Sequence, residues 1–103
     1  MVICMNDIFC SLMKNNSLNI ILENEFFICI KDLNPQDNTH LLIISKQHFV
    51  SFLSNEFELI HNMFFLFVNL VIKHHNLTRA QLILNAAFKQ EVFHFHAHIR
   101  SDE

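Results

Sequence analysis

The segment from His94 to His98, HFHAH, constrains the fold more than any other part of the chain, because histidine and apolar residues alternate along it. Side chains of a β-strand point alternately to opposite faces. A strand here therefore carries three imidazoles on one face, with a hydrophobic core on the other. Imidazoles titrate near neutral pH and serve as nucleophiles, acids, bases, phosphate contacts or metal ligands. The pattern predicts a polar site whose chemistry the rest of the chain must decide.

Length and composition narrow the classes of protein to consider. The length of 103 residues predicts one domain, residues 1–103. Because so short a chain contains 51% hydrophobic residues, its composition favours a homo-oligomer that buries apolar surface between subunits. The net charge is −3, so the chain does not have the excess of basic residues that is typical of nucleic-acid-binding proteins. The most apolar stretch, Leu59 to Ile72, is shorter than the about 20 residues that span a membrane. We therefore expect neither nucleic acid nor membrane as a partner.

The cysteine count and the N-terminal segment bear on location. There are three cysteines, an odd number, and MVICMNDIFC has neither a basic start nor a long apolar run. Both features predict a protein of the cytoplasm, a reducing compartment.

The spacing of apolar residues predicts an α+β domain with an antiparallel sheet and a helix on one face. Ser51 and Ser54 are candidate N-caps of the long helix, and Asn76 is a candidate left-handed C-cap. The predicted elements are a short helix at Ile8 to Lys14, strands at Leu18 to Leu22, Phe26 to Ile30 and His40 to Ser45, the long helix ending near His75, and strands at Gln81 to Ala87 and Val92 to Arg100.

Residue types alone leave the histidine strand open to three interpretations. Histidines on a solvated strand face need no function. A zinc site with an open position is a second interpretation, with His40 or His48 supplying a ligand from another strand. Nucleophilic attack on phosphorus is the third, because a covalent phospho-histidine or nucleotidyl-histidine divides one hard step into two easier ones.

Four segments resemble the histidine triad (HIT) proteins, in the order in which that family has them. They are DIFC at residues 7–10, KDLNPQDNTHLLIISKQH at residues 31–48, LILN at residues 82–85 and KQEVFHFHAHI at residues 89–99. The resemblance covers nearly the whole chain and is strongest to the Hint (protein-kinase-C-interacting protein) branch. It implies a HIT-like fold with a five-stranded antiparallel sheet, one long and one short helix, and a symmetric homodimer whose sheets join into ten strands.

The resemblance also implies a reaction. Members of that branch hydrolyse or transfer nucleoside monophosphates at the α-phosphate, typically from purine nucleoside phosphoramidates. His96 matches the middle triad histidine and therefore the nucleophile, and His98 matches the contact to the phosphate and the leaving group. His94 and His40 match the residues that support and orient the nucleophile.

The resemblance assigns the nucleotide contacts as well. Asp32 matches the position that binds the ribose hydroxyls. Phosphate or leaving-group contacts match Asn85, Glu91 and the backbone of Val92. The apolar slot for the base matches Ile8, Phe9, Leu12, Ile30 and Leu33.

The chain departs from the family at two places. Lys89 stands where family members usually carry glycine, just before the glutamine of the signature. Some relatives bind a structural zinc through a Cys-x-x-Cys, a histidine of the SKQH segment and a triad histidine, and Asp7 stands here at the first cysteine position. We therefore expect no cofactor. The alternative is a zinc ion on Asp7, Cys10, His48 and His94.

Three further functions stay open beside a purine nucleoside phosphoramidase. They are a dinucleoside polyphosphate hydrolase, a module that binds purine nucleotides with weak activity, and a zinc-binding structural protein.

Overall fold

Two helices and five strands make up the part of the chain that the computed structural model describes, residues 7–14, 18–86, 89–90 and 92–103. The strands form one antiparallel sheet in the order β1-β2-β3-β5-β4. This arrangement confirms the predicted α+β class. The elements are α1 (Ile8–Lys14), β1 (Leu22–Glu23), β2 (Phe27–Lys31), β3 (Thr39–Ser45), α2 (Asn55–His74), β4 (Gln81–Leu84) and β5 (His96–Ser101).

Helix α2 is the long amphipathic helix that the sequence predicts. Its buried residues are Phe57, Phe64, Phe67, Val68 and Val71, and they pack in the main hydrophobic core. The helix ends as predicted, because Asn76 has the left-handed φ of 55° that Asn tolerates. Ser54 occupies the N-cap position, but its side chain makes no capping hydrogen bond. Among the described helices, none is long and apolar enough to cross a membrane.

All five strands differ from the predicted bounds: β2 is shifted by one residue, β3 begins one residue earlier, and the other three differ more. The first covers only Leu22–Glu23. It ends there because Asn24 Oδ1 accepts hydrogen bonds from the N–H groups of Phe26 and Phe27 and closes a tight turn. Strand β4 ends at Leu84, and the predicted end at Ala87 lies outside the described residues.

Strand β5 begins at His96 rather than at Val92, so the alternation does not extend to His94. The cause is a contact from another part of the chain. The Phe95 N–H donates to the Phe49 carbonyl at 2.6 Å, in the segment after β3, and is therefore unavailable for regular pairing. Regular pairing with β3 starts at His96, opposite Ile44.

The two faces of β5 have different neighbours. Ala97 and Ile99, with Phe95 just before the strand, belong to the core beneath α2. His96 and His98 pair with Ile44 and Leu42, whose side chains lie on the opposite side of the sheet from α2. The core therefore fixes the strand from one side and leaves the imidazole side for a site.

Candidate active site

A cavity of about 610 Å³ lies on the imidazole side of the sheet. It is bounded by α1, the loop after β2, and the strands β3, β4 and β5. Most of the residues assigned from the sequence meet there: Ile8, Phe9, Asp32, Leu33, His40, Asn85, Val92, His96 and His98.

Three assigned residues lie elsewhere, and a fourth is not among the described residues. His94 is fully buried behind the cavity. Leu12 lines a second, smaller cavity of about 250 Å³, and Ile30 is buried in the apolar cluster that also holds Phe9. Glu91 lies outside the described residues. The slot expected for a base therefore consists here of Ile8, Phe9 and Leu33.

The ring of His96 is held in one orientation by the main chain. Its Nδ1 lies 2.8 Å from the carbonyl oxygen of His94. A carbonyl oxygen only accepts, so in the neutral ring Nδ1 carries the proton and Nε2 carries the lone pair. Phe9 packs edge-on against the ring, with centroids 5.1 Å apart. An oriented lone pair of this kind suits a nucleophile.

Beside His96, Asp32, His40 and His98 form a compact group. His40 Nε2 lies 3.1 Å from Asp32 Oδ2 and 2.9 Å from His98 Nδ1. The backbone N–H of Gln36 donates to His40 Nδ1 at 3.0 Å, so the proton of neutral His40 sits on Nε2. A nitrogen that carries a proton cannot ligate a metal. We therefore interpret the short distances within this group as hydrogen bonds and not as a metal site.

Burial is the largest influence on His98. It lowers the pKa of His98 below the ordinary value of 6.5, and the neighbouring His96 and His40 lower it further, against an opposing effect of Asp32. His98 is therefore neutral at pH 7.

Asp7, Cys10, His48 and His94 form a second group behind the cavity. Asp7 Oδ1 accepts the N–H of Cys10 and caps α1, while Asp7 Oδ2 lies 2.9 Å from His48 Nδ1 and 3.1 Å from His94 Nδ1. The Cys10 sulfur lies 3.5 Å from His48 Nδ1 and 3.3 Å from His94 Nδ1. The group joins α1 to His94, two residues before the start of β5.

Three side chains of this group, those of Asp7, His48 and His94, offer atoms that suit a cation. His94 Nε2 lies 2.8 Å from the Ser45 carbonyl, so Nε2 donates and the Nδ1 lone pair faces the Asp7 carboxylate. Burial is the main cause that lowers the pKa of His94, which keeps the ring neutral. Metal-bound histidines commonly donate their other N–H to a backbone carbonyl in this way. All four residues of the zinc alternative are therefore brought together, with ligand atoms within 4.8 Å of one another.

Further residues line the cavity without having been assigned from the sequence: Asn34, Gln36, Leu42, Ile83, Lys89 and Arg100. The alternation itself would have found Arg100, because it follows His98 by two residues and shares its face. Lys89 was known only as a departure from the family glycine. Asn34 and Gln36 reach the cavity through the path of a loop, which side-chain periodicity does not predict.

Comparison with known proteins agrees with the geometry. The sequence profile of the family described as "Scavenger mRNA decapping enzyme C-term binding" matches residues 6–103. Protein HitA of Neisseria gonorrhoeae is 35% identical over 100 residues, which cover 91% of this chain and 94% of that protein. The adenosine 5′-monophosphoramidase HINT3 of Danio rerio is 41% identical over 49 residues, which cover 46% of this chain and 31% of that protein.

Solved structures give the same result. A HIT family hydrolase from Clostridium thermocellum superposes with a TM-score of 0.84 and 30% identity, over 95% of this chain and 91% of that one. The profile match, the HitA relative and this fold all coincide with a triad strand that lines a cavity. The chain therefore belongs to the histidine triad family.

Proposed function

We propose that this protein hydrolyses purine nucleoside phosphoramidates, or transfers their nucleotidyl group, through a covalent nucleotidyl-histidine at His96. The observation that carries the proposal is the hydrogen bond from His96 Nδ1 to the His94 carbonyl, which reserves the Nε2 lone pair for attack. The similarity to a phosphoramidase of Danio rerio, although confined to 49 residues, supports the same substrate class.

The chemistry takes place in two displacements at the α-phosphorus. His96 Nε2 forms a bond to phosphorus as the phosphorus–nitrogen bond breaks; the amine keeps that electron pair and takes a proton from water. In the second displacement, a water oxygen bonds to phosphorus and the Nε2–phosphorus pair returns to His96. The attacking water releases one proton to solvent. The products are the nucleoside monophosphate and the amine.

The other cavity residues have roles in binding. The Asp32 carboxylate is suited to accept hydrogen bonds from the two ribose hydroxyls, and the apolar side chains of Phe9 and Leu33 are suited to contact the base. Asn85 follows β4 directly, and because Leu84 pairs with Ala97 it lies beside His96, where the phosphate would sit. His98 is the neighbouring donor to a phosphoryl oxygen.

The test is an assay with an adenosine 5′-phosphoramidate, combined with acid-free quenching and intact-mass analysis. We expect turnover, and a transient mass increase of one adenylyl group that peptide mapping assigns to His96. Tight binding of AMP with neither turnover nor adduct would instead identify a nucleotide-binding module and contradict the proposal.

Hydrolysis of dinucleoside polyphosphates is the second candidate, and one observation favours it. Two basic side chains, Lys89 and Arg100, line the cavity, and among its described lining residues Asp32 is the only carboxylate. A polyphosphate chain carries more negative charge than a phosphoramidate and would gain more from both cations. A higher kcat/KM for diadenosine polyphosphates than for phosphoramidates would select this candidate.

We infer that a second copy of the chain pairs along β4 and α2. Strand β4 is an edge of the described sheet, and pairing by its free side would join two sheets into ten strands. On α2, Leu59, Met63, Leu66 and Leu70 recur at intervals of three or four residues and are all exposed, which makes one apolar stripe. Leu82 of β4 is also exposed and lies on the α2 side of the sheet, opposite Ile99. An exposed stripe beside an unpaired edge favours a symmetric homodimer.

Leu66→Glu is expected to convert the dimer to a monomer, because it places a charge in the centre of the apolar stripe. Light scattering after gel filtration should give twice the chain mass of 12.2 kDa for the wild type and that mass itself for the variant. Phe65→Glu is the matched control, since Phe65 is half exposed but turned about 100° around the helix from Leu66. Dimers in both variants would rule out the stripe as the interface.

We expect catalysis to need no metal or other cofactor, because the proposed nucleophile and phosphate donor both belong to the triad. If the group at Asp7 holds zinc, that ion would join α1 to His94 and would be structural. Dialysis against a chelator should then leave kcat unchanged and lower the melting temperature only of protein that contained metal by elemental analysis. Loss of kcat that added zinc restores would show a catalytic metal.

A further inference from the structure

Arg100 lies on the same face of β5 as His96 and His98, and it pairs in register with His40 of β3. Its guanidinium Nη2 donates to the carbonyl oxygen of Gln36 at 3.2 Å and lies 3.7 Å from Asp37 Oδ2. Arg100 therefore ties the loop that follows β2 to the end of the triad strand.

That loop sets the tautomer of His40. The N–H of Gln36 donates to His40 Nδ1, which leaves the His40 proton on Nε2. From Nε2 the proton points at two acceptors, His98 Nδ1 at 2.9 Å and Asp32 Oδ2 at 3.1 Å. Gln36 therefore links Arg100 to His40: its carbonyl accepts a hydrogen bond from Arg100, and its N–H orients the His40 ring.

The effect continues to His98. Because His98 Nδ1 faces an N–H, it accepts, and the proton of neutral His98 lies on Nε2. Nε2 is the ring nitrogen left to meet a ligand in the cavity. His96 is held in the opposite tautomer, with a lone pair on Nε2. The two neighbouring rings therefore offer a nucleophile and a hydrogen-bond donor, as attack on a phosphoryl group requires.

We propose that Arg100 is a positioning residue that fixes the donor tautomer of His98 through the Gln36 main chain and His40. This role rests on the proposed function, in which His98 Nε2–H stabilises the charge on the transferring phosphoryl oxygens. Without Arg100 the loop releases His40, which then also populates the tautomer with its proton on Nδ1. His98 then carries its proton on Nδ1, where it can donate to His40 Nε2, and the lone pair of His98 Nε2 faces the phosphate.

The test compares Arg100→Leu, Arg100→Lys and a control, Arg79→Leu. Arg79 also forms a surface ion pair, with Asp102, and its described hydrogen bonds go to Asp102 and Glu103 rather than to the loop after β2. Nitrogen-15 NMR of the imidazoles at pH 7.5 reports the tautomers directly. We expect His98 to carry its proton on Nε2 in the wild type and in Arg79→Leu, to become a mixture in Arg100→Leu, and to return in large part to Nε2–H in Arg100→Lys.

Kinetics with the adenosine phosphoramidate form the second arm. Arg100→Leu should lower kcat about tenfold with little change in KM, since a misdirected donor weakens the transition state more than binding. Arg100→Lys should recover most of kcat, because lysine keeps a cationic donor for the Gln36 carbonyl. A raised KM with unchanged kcat would show that Arg100 binds substrate directly and would overturn the positioning role.

The two arms separate this inference from the proposed function. One possible result is that the wild type turns over no phosphoramidate while the His98 tautomer still changes in the Arg100 variants. The positioning role of Arg100 is then supported, and the proposed substrate is wrong. If His98 keeps the wild-type tautomer in all variants, Arg100 has no positioning role, whatever the activity of the variants.

Discussion

Replacing His96 with alanine is expected to reduce phosphoramidate turnover at least about a thousandfold, because it removes the atom that forms the covalent bond. The fold should survive, since the His96 ring packs against Phe9, the His98 ring and the main chain of His94, and lies outside the core beneath α2. Steady-state turnover, intact mass after quenching and circular dichroism together check this expectation. Loss of the adenylyl adduct should accompany loss of turnover.

His61→Ala is the control for this variant. His61 lies exposed on α2, and its described contacts, the Glu58 carbonyl and the Phe57 ring, belong to its own helix, so its loss should leave kcat within experimental error. An adduct that persists in His96→Ala would assign the nucleophile to another residue. Turnover that persists without any adduct would mean direct attack by water, and the covalent mechanism would be wrong.

The contrast between His94 and His96 shows where sequence reasoning succeeded and where it could not. Alternation correctly separated the core residues Ala97 and Ile99 from His96 and His98, because local side-chain direction follows from strand geometry. The placement of His94 depends on groups far away in the chain. Its ring bonds the Ser45 carbonyl and faces Asp7, 87 positions earlier, and no local pattern contains that information.

The cavity shows the same division. Residues on a strand or directly after one, such as His40 and Asn85, were assigned by matching motifs that follow regular elements. The loop after β2 enters the site through backbone groups, and the N–H of Gln36 acts identically whatever the side chain at that position. Sequence comparison therefore reveals Asp32 but not the main-chain donor that orients His40. Arg100 was available from the alternation, yet its importance depends on the loop that it holds.

Phe95→Ala is expected to destabilise the protein by about 3–5 kcal/mol, the usual loss for a large aromatic side chain in a core. Phe95 is almost fully buried, and its ring lies 5.1 Å from those of Phe49 and Phe57 and 5.3 Å from that of Phe64. Urea unfolding followed by circular dichroism measures the change. A loss of this size is a large part of the about 5–15 kcal/mol that stabilises a typical domain, so turnover should fall as well through loss of folded protein.

Phe93→Ala provides the matched control for Phe95, because the same side chain two residues earlier is 58% exposed. Its unfolding free energy should change by no more than about 0.5 kcal/mol. Phe95→Leu, which keeps most of the apolar volume, should fall between the two and stay folded if Phe95→Ala does not. Equal losses for Phe93 and Phe95 would contradict the assignment of faces. The graded result would mean that Phe95 fixes the strand from the core side, so that the imidazole of His96 on the next residue is held in place for attack.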